Sequence, residues 1–193
     1  MMIFQRNRAV AVLALIGGLA VLGPVVPSNA AEQAVKAEVN PPGDIPDNQV
    51  FITYAAPLGA TLQVPEGWGR NDTAAGAVFS DKYNILEVRV APAAAAPTVD
   101  SVNASDVAAL KATDRAANIT SVKALKLDGG DAIRIDYAIN SDPNPVTNKQ
   151  IRLEGVRFIL FGHGKIATLD MRAPYGADNV DQWRLMSNSL RVQ

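Results

Sequence analysis

Between residues 51 and 173 apolar and polar side chains trade places about every second position, the pattern of strands with one buried face. FITYAAP and ATLQVP flank a turn at Leu58-Gly59, a PEGW corner follows at Pro65–Trp68, and GAVFS leads into YNILEVRVAP. In that last segment Leu86, Val88 and Val90 alternate with Ile85, Glu87 and Arg89. The cleanest alternation comes later, where Ile133, Ile135, Tyr137 and Ile139 point one way and Arg134 and Asp136 the other. A DGGD turn (Asp128–Asp131) precedes that strand and joins it to another as a hairpin. QIRLEGVRFILF and KIATLDMRA form a further hairpin around Gly162-His163-Gly164, with Ala167, Leu169, Met171 and Ala173 sharing a face. NSDPNPVTN (140–148) reads as a long polar loop.

Two segments change period. Ser101 to Ala117 is rich in helix formers, has Ser101, Asn103 and Ser105 as cap candidates, and sets Val107 and Leu110 on one face. APAAAAP, just before it, is bracketed by Pro92 and Pro97 and reads as a linker. The chain ends on a second helix, capped by Asp178 or Asn179, in which Val180, Trp183, Met186, Ser187 and Leu190 recur at three- and four-residue spacing. Asp178 and Asp181 suit the positive end of its dipole. That stripe is expected to lie on a sheet with Trp183 buried, where truncation to alanine would cost about 3–5 kcal/mol. The fold expected is α+β, a central antiparallel sheet flanked by helices.

The first thirty residues obey another logic. A basic start with Arg6 and Arg8, fifteen residues from Ala9 to Gly23 dominated by apolar side chains, and a small-residue exit ending at Ala30 are the three regions of a secretory signal. A spanning helix needs about 20 apolar residues, and Gly17, Gly18, Gly23 and Pro24 interrupt or end this run. Cleavage is expected after Ala30, with no membrane span thereafter and a secreted or periplasmic destination. Residues 31–49, with three prolines and little apolar periodicity, read as a flexible linker to a domain at 50–193.

Composition narrows the chemistry. Losing Arg6 and Arg8 takes the 18 basic side chains to 16 against 19 acidic ones, a formal charge of −3. So mildly acidic a domain lacks the concentrated basic face that nucleic acid requires. The absence of cysteine excludes disulfides, thiolate metal sites and cysteine nucleophiles. His163, the single histidine, sits between two glycines at a hairpin tip, with no sign of a serine and acid placed to complete a triad. The turns at Asp128–Asp131 and Asp142–Asn148 offer oxygen ligands but fit no calcium-loop pattern. Trp68, Phe79, Tyr54 and Tyr83 are core candidates before they are a ligand platform.

Val64-Pro65-Glu66-Gly67-Trp68, the FSD and LEVRV strands, and the strand from Leu169 that runs through Ala173-Pro174 into a helix ending Ser189-Leu190-Arg191 together resemble the Mog/PsbP-like family, in particular its bacterial exported members. The resemblance covers about Phe51 to Val192. It implies an α-β-α sandwich and a non-catalytic accessory or binding role. One branch of the family is an extrinsic subunit of photosystem II and another binds the GTPase Ran. An export signal argues against the Ran role, and the shortness of the signal against the chloroplast lumen. The chain is accordingly expected to be an exported monomeric domain without cofactor or metal, binding a protein or cell-envelope component. The alternatives are a small-ligand or calcium carrier and, behind it, a hydrolase. Recognition is expected on loops, giving Trp68, Arg70, Asp72, Asp142, Asn144, Asn148 and His163 as the candidate surface.

Overall fold

The structure, a computed structural model, describes residues 32–193; the expected export signal lies outside the described residues. The period-two segments become strands β1 (Phe51–Ala56), β2 (Ala60–Pro65), β4 (Gly76–Asp81), β5 (Asn84–Pro92), β6 (Asn118–Leu127), β7 (Gly130–Asn140), β8 (Arg152–Gly162) and β9 (Lys165–Pro174). Two strands were not expected. β3 (Gly69–Thr73) is polar and exposed throughout, and β10 (Arg191–Val192) comes after the last helix. Residues 69–72, read as part of a loop, are therefore an edge strand. A GRNDT segment buries nothing, so no apolar rhythm betrays it.

All pairing is antiparallel. Seven strands form a large sheet in the order β3-β4-β5-β9-β8-β7-β6, and β1-β2-β10 form a small one. The helical stretch runs α1 (Val99–Val102), a π turn (Asn103–Val107) and α2 (Ala108–Thr113); α3 (Val180–Ser189) is the last helix. The first helix is capped by Thr98 in a capping box with Ser101, rather than by a residue further in. The helical stretch stops at Thr113, the end of α2, because Asp114 is extended, at φ −93° and ψ 142°.

Each face of the large sheet is covered. On one, Phe79, Leu86, Val88, Leu169 and Phe158 meet the small sheet through Tyr54, Leu62 and Val64, and meet α3 through Met186 and Leu190. On the other, Ile133, Ile135, Ile139 and Ile159 meet Val102, Val107 and Leu110. The antiparallel α+β class holds, but the helix-flanked sandwich fits only roughly: sheet dominates, and a second sheet closes most of one face. The π turn explains how Val102 and Val107 both reach the core. Five residues on an α-helix would separate them by about 140°; the wider turn brings them to one side.

The segment expected to be a flexible linker has no helix or strand, yet it is fastened to the body. Glu32 bonds Arg115 (2.8 Å), Asn140 (2.9 Å) and Gln150 (2.7 Å). The buried Ile45 donates its N–H to Asn179 Oδ1 at 2.6 Å, and Gly43 O accepts from Asn84 and Asn179. Asn179 is thus the N-cap residue of α3 by position, while its side chain holds this segment instead of capping. Among the described residues no helix is long and apolar enough to cross a membrane.

Candidate functional site

The helix-covered face holds a closed charge cluster. Asp170, 1% exposed, accepts from the Tyr137 hydroxyl at 2.5 Å, from Arg157 Nε at 2.6 Å and from Arg172 Nε at 3.1 Å. Asp106, in the π turn, stands 3.7 Å from Arg157, while Glu87 and Asp114 stand 3.8 and 4.0 Å from Arg172. The sheet register builds this group. Arg157 lies opposite Asp170, and Tyr137 and Arg172 both lie opposite Gly155. Gly155 is required, because a Cβ there would lie 2.3 Å from the Tyr137 ring.

Burial and the neighbouring Asp170 push the Tyr137 hydroxyl far above its ordinary range. Burial alone would lower the guanidinium pKa values of Arg157 and Arg172, but the Asp170 carboxylate more than offsets it and both are raised. Asp114 is lifted by burial, with Arg172 working against the shift. Among the described residues no buried side-chain polar atom lacks a partner. Asp170, Tyr137 and Arg157 form a buried, mutually satisfied clasp, and the partly exposed Arg172 and Asp114 carry it to the edge of a cleft.

The opposite face has an opening instead. Between α3 and strands β6–β8 lies a groove of about 510 Å³, within the range of ligand pockets. Phe158 and the alternating Arg134, Asp136 and Glu154 line its floor, and Trp183 and Tyr175 its wall and one end. Arg134 is neutralised by Asp136 at 2.6 Å and lies over the Phe158 ring at 5.5 Å. Glu154 accepts the Gly176 N–H at 3.0 Å, and burial raises its pKa against that hydrogen bond.

Trp183 is half-buried and lines this groove, where the sequence placed it inside the core. Val180, expected on the same apolar stripe, is 68% exposed. Three- and four-residue steps drift around a helix, and Val180 sits about 120° from Met186. Met186 and Leu190 seal the core; Trp183 and Val180 face the opening.

The seven residues expected to form a binding surface occupy three separate places. Trp68 and Arg70 border a crevice of about 100 Å³, where the Arg70 guanidinium lies 4.7 Å from the Tyr54 ring centre. Asp72 pairs with Arg70 at 2.8 Å. Tyr54 and Phe79 are core residues in an edge-to-face pair at 5.2 Å. Asp142 and Asn144 border a second cleft, of about 600 Å³, together with Tyr83 on the helix-covered side. Asn144 Oδ1 is engaged by the N–H groups of Val146 and Thr147 at 3.0 Å, and Asn148 is a turn residue at φ 54°. Exposed His163, at φ 51°, precedes Gly164 at φ 70°, and the two make a mirror-image hairpin turn. Five strand spacings of about 4.8 Å separate β3 from β7, and the 11 residues of β8 lie between the 141–151 loop and His163. Among the described residues no three His, Cys, Asp or Glu side chains converge as a metal site.

Nothing in the sequence marks the groove, because Arg134 and Asp136 have the pattern of an ordinary solvated strand face and Trp183 that of a core residue. Asp170 was set outward by the Leu169–Met171 alternation, and that outward side is also covered. The apolar run FILF (158–161) in β8 signals a strand buried on both faces.

No protein-family model matches the sequence, and no curated protein matches it. In structure the chain is similar to the solution structure of cyanobacterial PsbP (CyanoP) from Synechocystis sp. PCC 6803, with a TM-score of 0.54 and 18% identity over 78% of this chain and 98% of that one. At that identity the likeness concerns the fold, and the fold of this chain is PsbP-like.

Proposed function

We propose that the chain is an exported, non-catalytic PsbP-type binding domain that docks a protein partner of the cell envelope through the groove beside α3. The observation that carries this reading is the half-buried Trp183 beside exposed Tyr175 and Val180 at the mouth of a cavity of about 510 Å³. Aromatic side chains at the rim of a cavity are the common anchors of protein interfaces. The buried acids and bases on the other face, by contrast, are consumed by one another. Export rests on the thirty-residue leader pattern, and the mature chain begins at Ala31 in this reading. The calcium-carrier alternative would need several oxygen ligands, and no three Asp or Glu side chains converge among the described residues.

Affinity capture from the native envelope tests the reading. The unaltered domain and an Asp100→Asn control, altered on exposed α1, should retain one stoichiometric partner, and a Trp183→Ala/Tyr175→Ala variant with unchanged circular dichroism should lose it. Undiminished capture by that variant would place the interface elsewhere.

A further inference from the structure

The groove is mixed in charge, yet most of its charges are already matched. Arg134 pairs with Asp136, and Arg184 with Asp181. Lys126 belongs to the far end: its row of the sheet meets β7 at Asp131, whereas Glu154 lies opposite Ala138. Seven residues of extended strand separate those rows, about 23 Å.

Glu154 stands apart from these pairs. It is half-buried on the groove floor, its one hydrogen-bond partner is the Gly176 N–H, and no cation pairs with it among the described residues. A carboxylate partly withdrawn from water gains most from an incoming cation. Tyr175, the residue before Gly176, and Trp183 border the same cavity, and aromatic rings attract guanidinium and ammonium groups. A carboxylate that shares a cavity with two aromatic rings suits a positive side chain with an apolar stem.

On the basis of the docking reading, we infer that the Glu154 end of the groove is a subsite for a basic side chain, arginine or lysine, carried by the partner protein, with Tyr175 and Trp183 packing on its stem. Arginine fits better of the two, since its flat guanidinium stacks on a ring while donating to a carboxylate.

The test uses capped tripeptides on the full mature chain: acetyl-Leu-Arg-Leu-amide and its citrulline counterpart, which keeps the shape and removes the charge. Nuclear magnetic resonance tracks the Gly176 amide and the Trp183 indole N–H. The arginine peptide should shift both signals saturably, and the citrulline peptide should bind at least tenfold more weakly. Glu154→Gln should cost the arginine peptide at least tenfold; the glutamine oxygen still accepts from Gly176, so the fold is kept. Equal binding of the two peptides, no loss in Glu154→Gln, or no shift at Gly176 and Trp183 overturns the subsite. Envelope capture separates this failure from that of docking itself. A partner held undiminished by Glu154→Gln but lost by Trp183→Ala/Tyr175→Ala overturns the basic subsite and leaves the docking groove standing.

Discussion

The two faces of the seven-stranded sheet handle polarity in opposite ways. Under the π turn, Arg157, Asp170 and Tyr137 are buried, Arg172 is partly buried, and all four are mutually satisfied. Beside α3 the core is apolar up to Met186 and Leu190, then gives way to an open groove with an unmatched carboxylate at Glu154. Buried charge is therefore a poor guide to function in this molecule. The charges of the cluster with the largest electrostatic perturbations are matched by one another, while the weaker perturbation at Glu154 belongs to a carboxylate without a cation in an open groove. Perturbed groups mark functional sites only when something can approach them.

Breaking the clasp should have the largest effect. Asp170→Ala strands the buried Arg157 guanidinium and takes a partner from the partly buried Arg172, and should cost about 3–5 kcal/mol in urea denaturation. Tyr137→Phe removes one hydrogen bond to a carboxylate, and about 1.5–3 kcal/mol is expected. Gly155→Ala drives a methyl group into the Tyr137 ring and should cost about 1–3 kcal/mol. Tyr137→Phe, where still folded, should leave partner capture intact, since the hydroxyl it removes lies on the far face.

The groove should respond in the reverse sense. Trp183→Ala is expected to cost less than the about 3–5 kcal/mol of a fully buried aromatic, yet to abolish capture. The smallest effect on stability is assigned to Glu154→Gln, and it has a sign. Burial raises the folded-state pKa of Glu154, so the stability linked to its protonation is full below the ordinary value of 4.5 and is lost as pH rises through the raised value. The glutamine variant should therefore melt slightly above the unaltered chain at pH 7, and the gap should close as pH falls below that ordinary value. A gap that widens on acidification would mean Glu154 is held by a cation.

Much of the sheet was legible because period-two alternation is a direct consequence of one face being buried. Eight strands and both hairpin turns, at Asp128–Asp131 and Gly162–Gly164, are read from it. β3 was not legible, since an exposed edge strand such as GRNDT has no apolar side to alternate. The site was less legible for two reasons. A strand pattern assigns polar residues to solvent, which is wrong for Asp170 under a covering helix and incomplete for Asp136 and Glu154 under α3. A helix stripe also records spacing and not its own drift, so Trp183 and Val180 looked as inward as Met186. The seven surface candidates were chosen as loop residues, and register alone scatters them across the sheet.

In-cell photocrosslinking tests the central claim most directly. A p-benzoylphenylalanine replaces Val180, 68% exposed at the groove mouth, or Val146, 90% exposed in the 141–151 loop. Docking beside α3 predicts one discrete protein adduct from position 180 and none from position 146. An adduct from 146 alone, or none from 180 in cells that hold the folded protein, would contradict it.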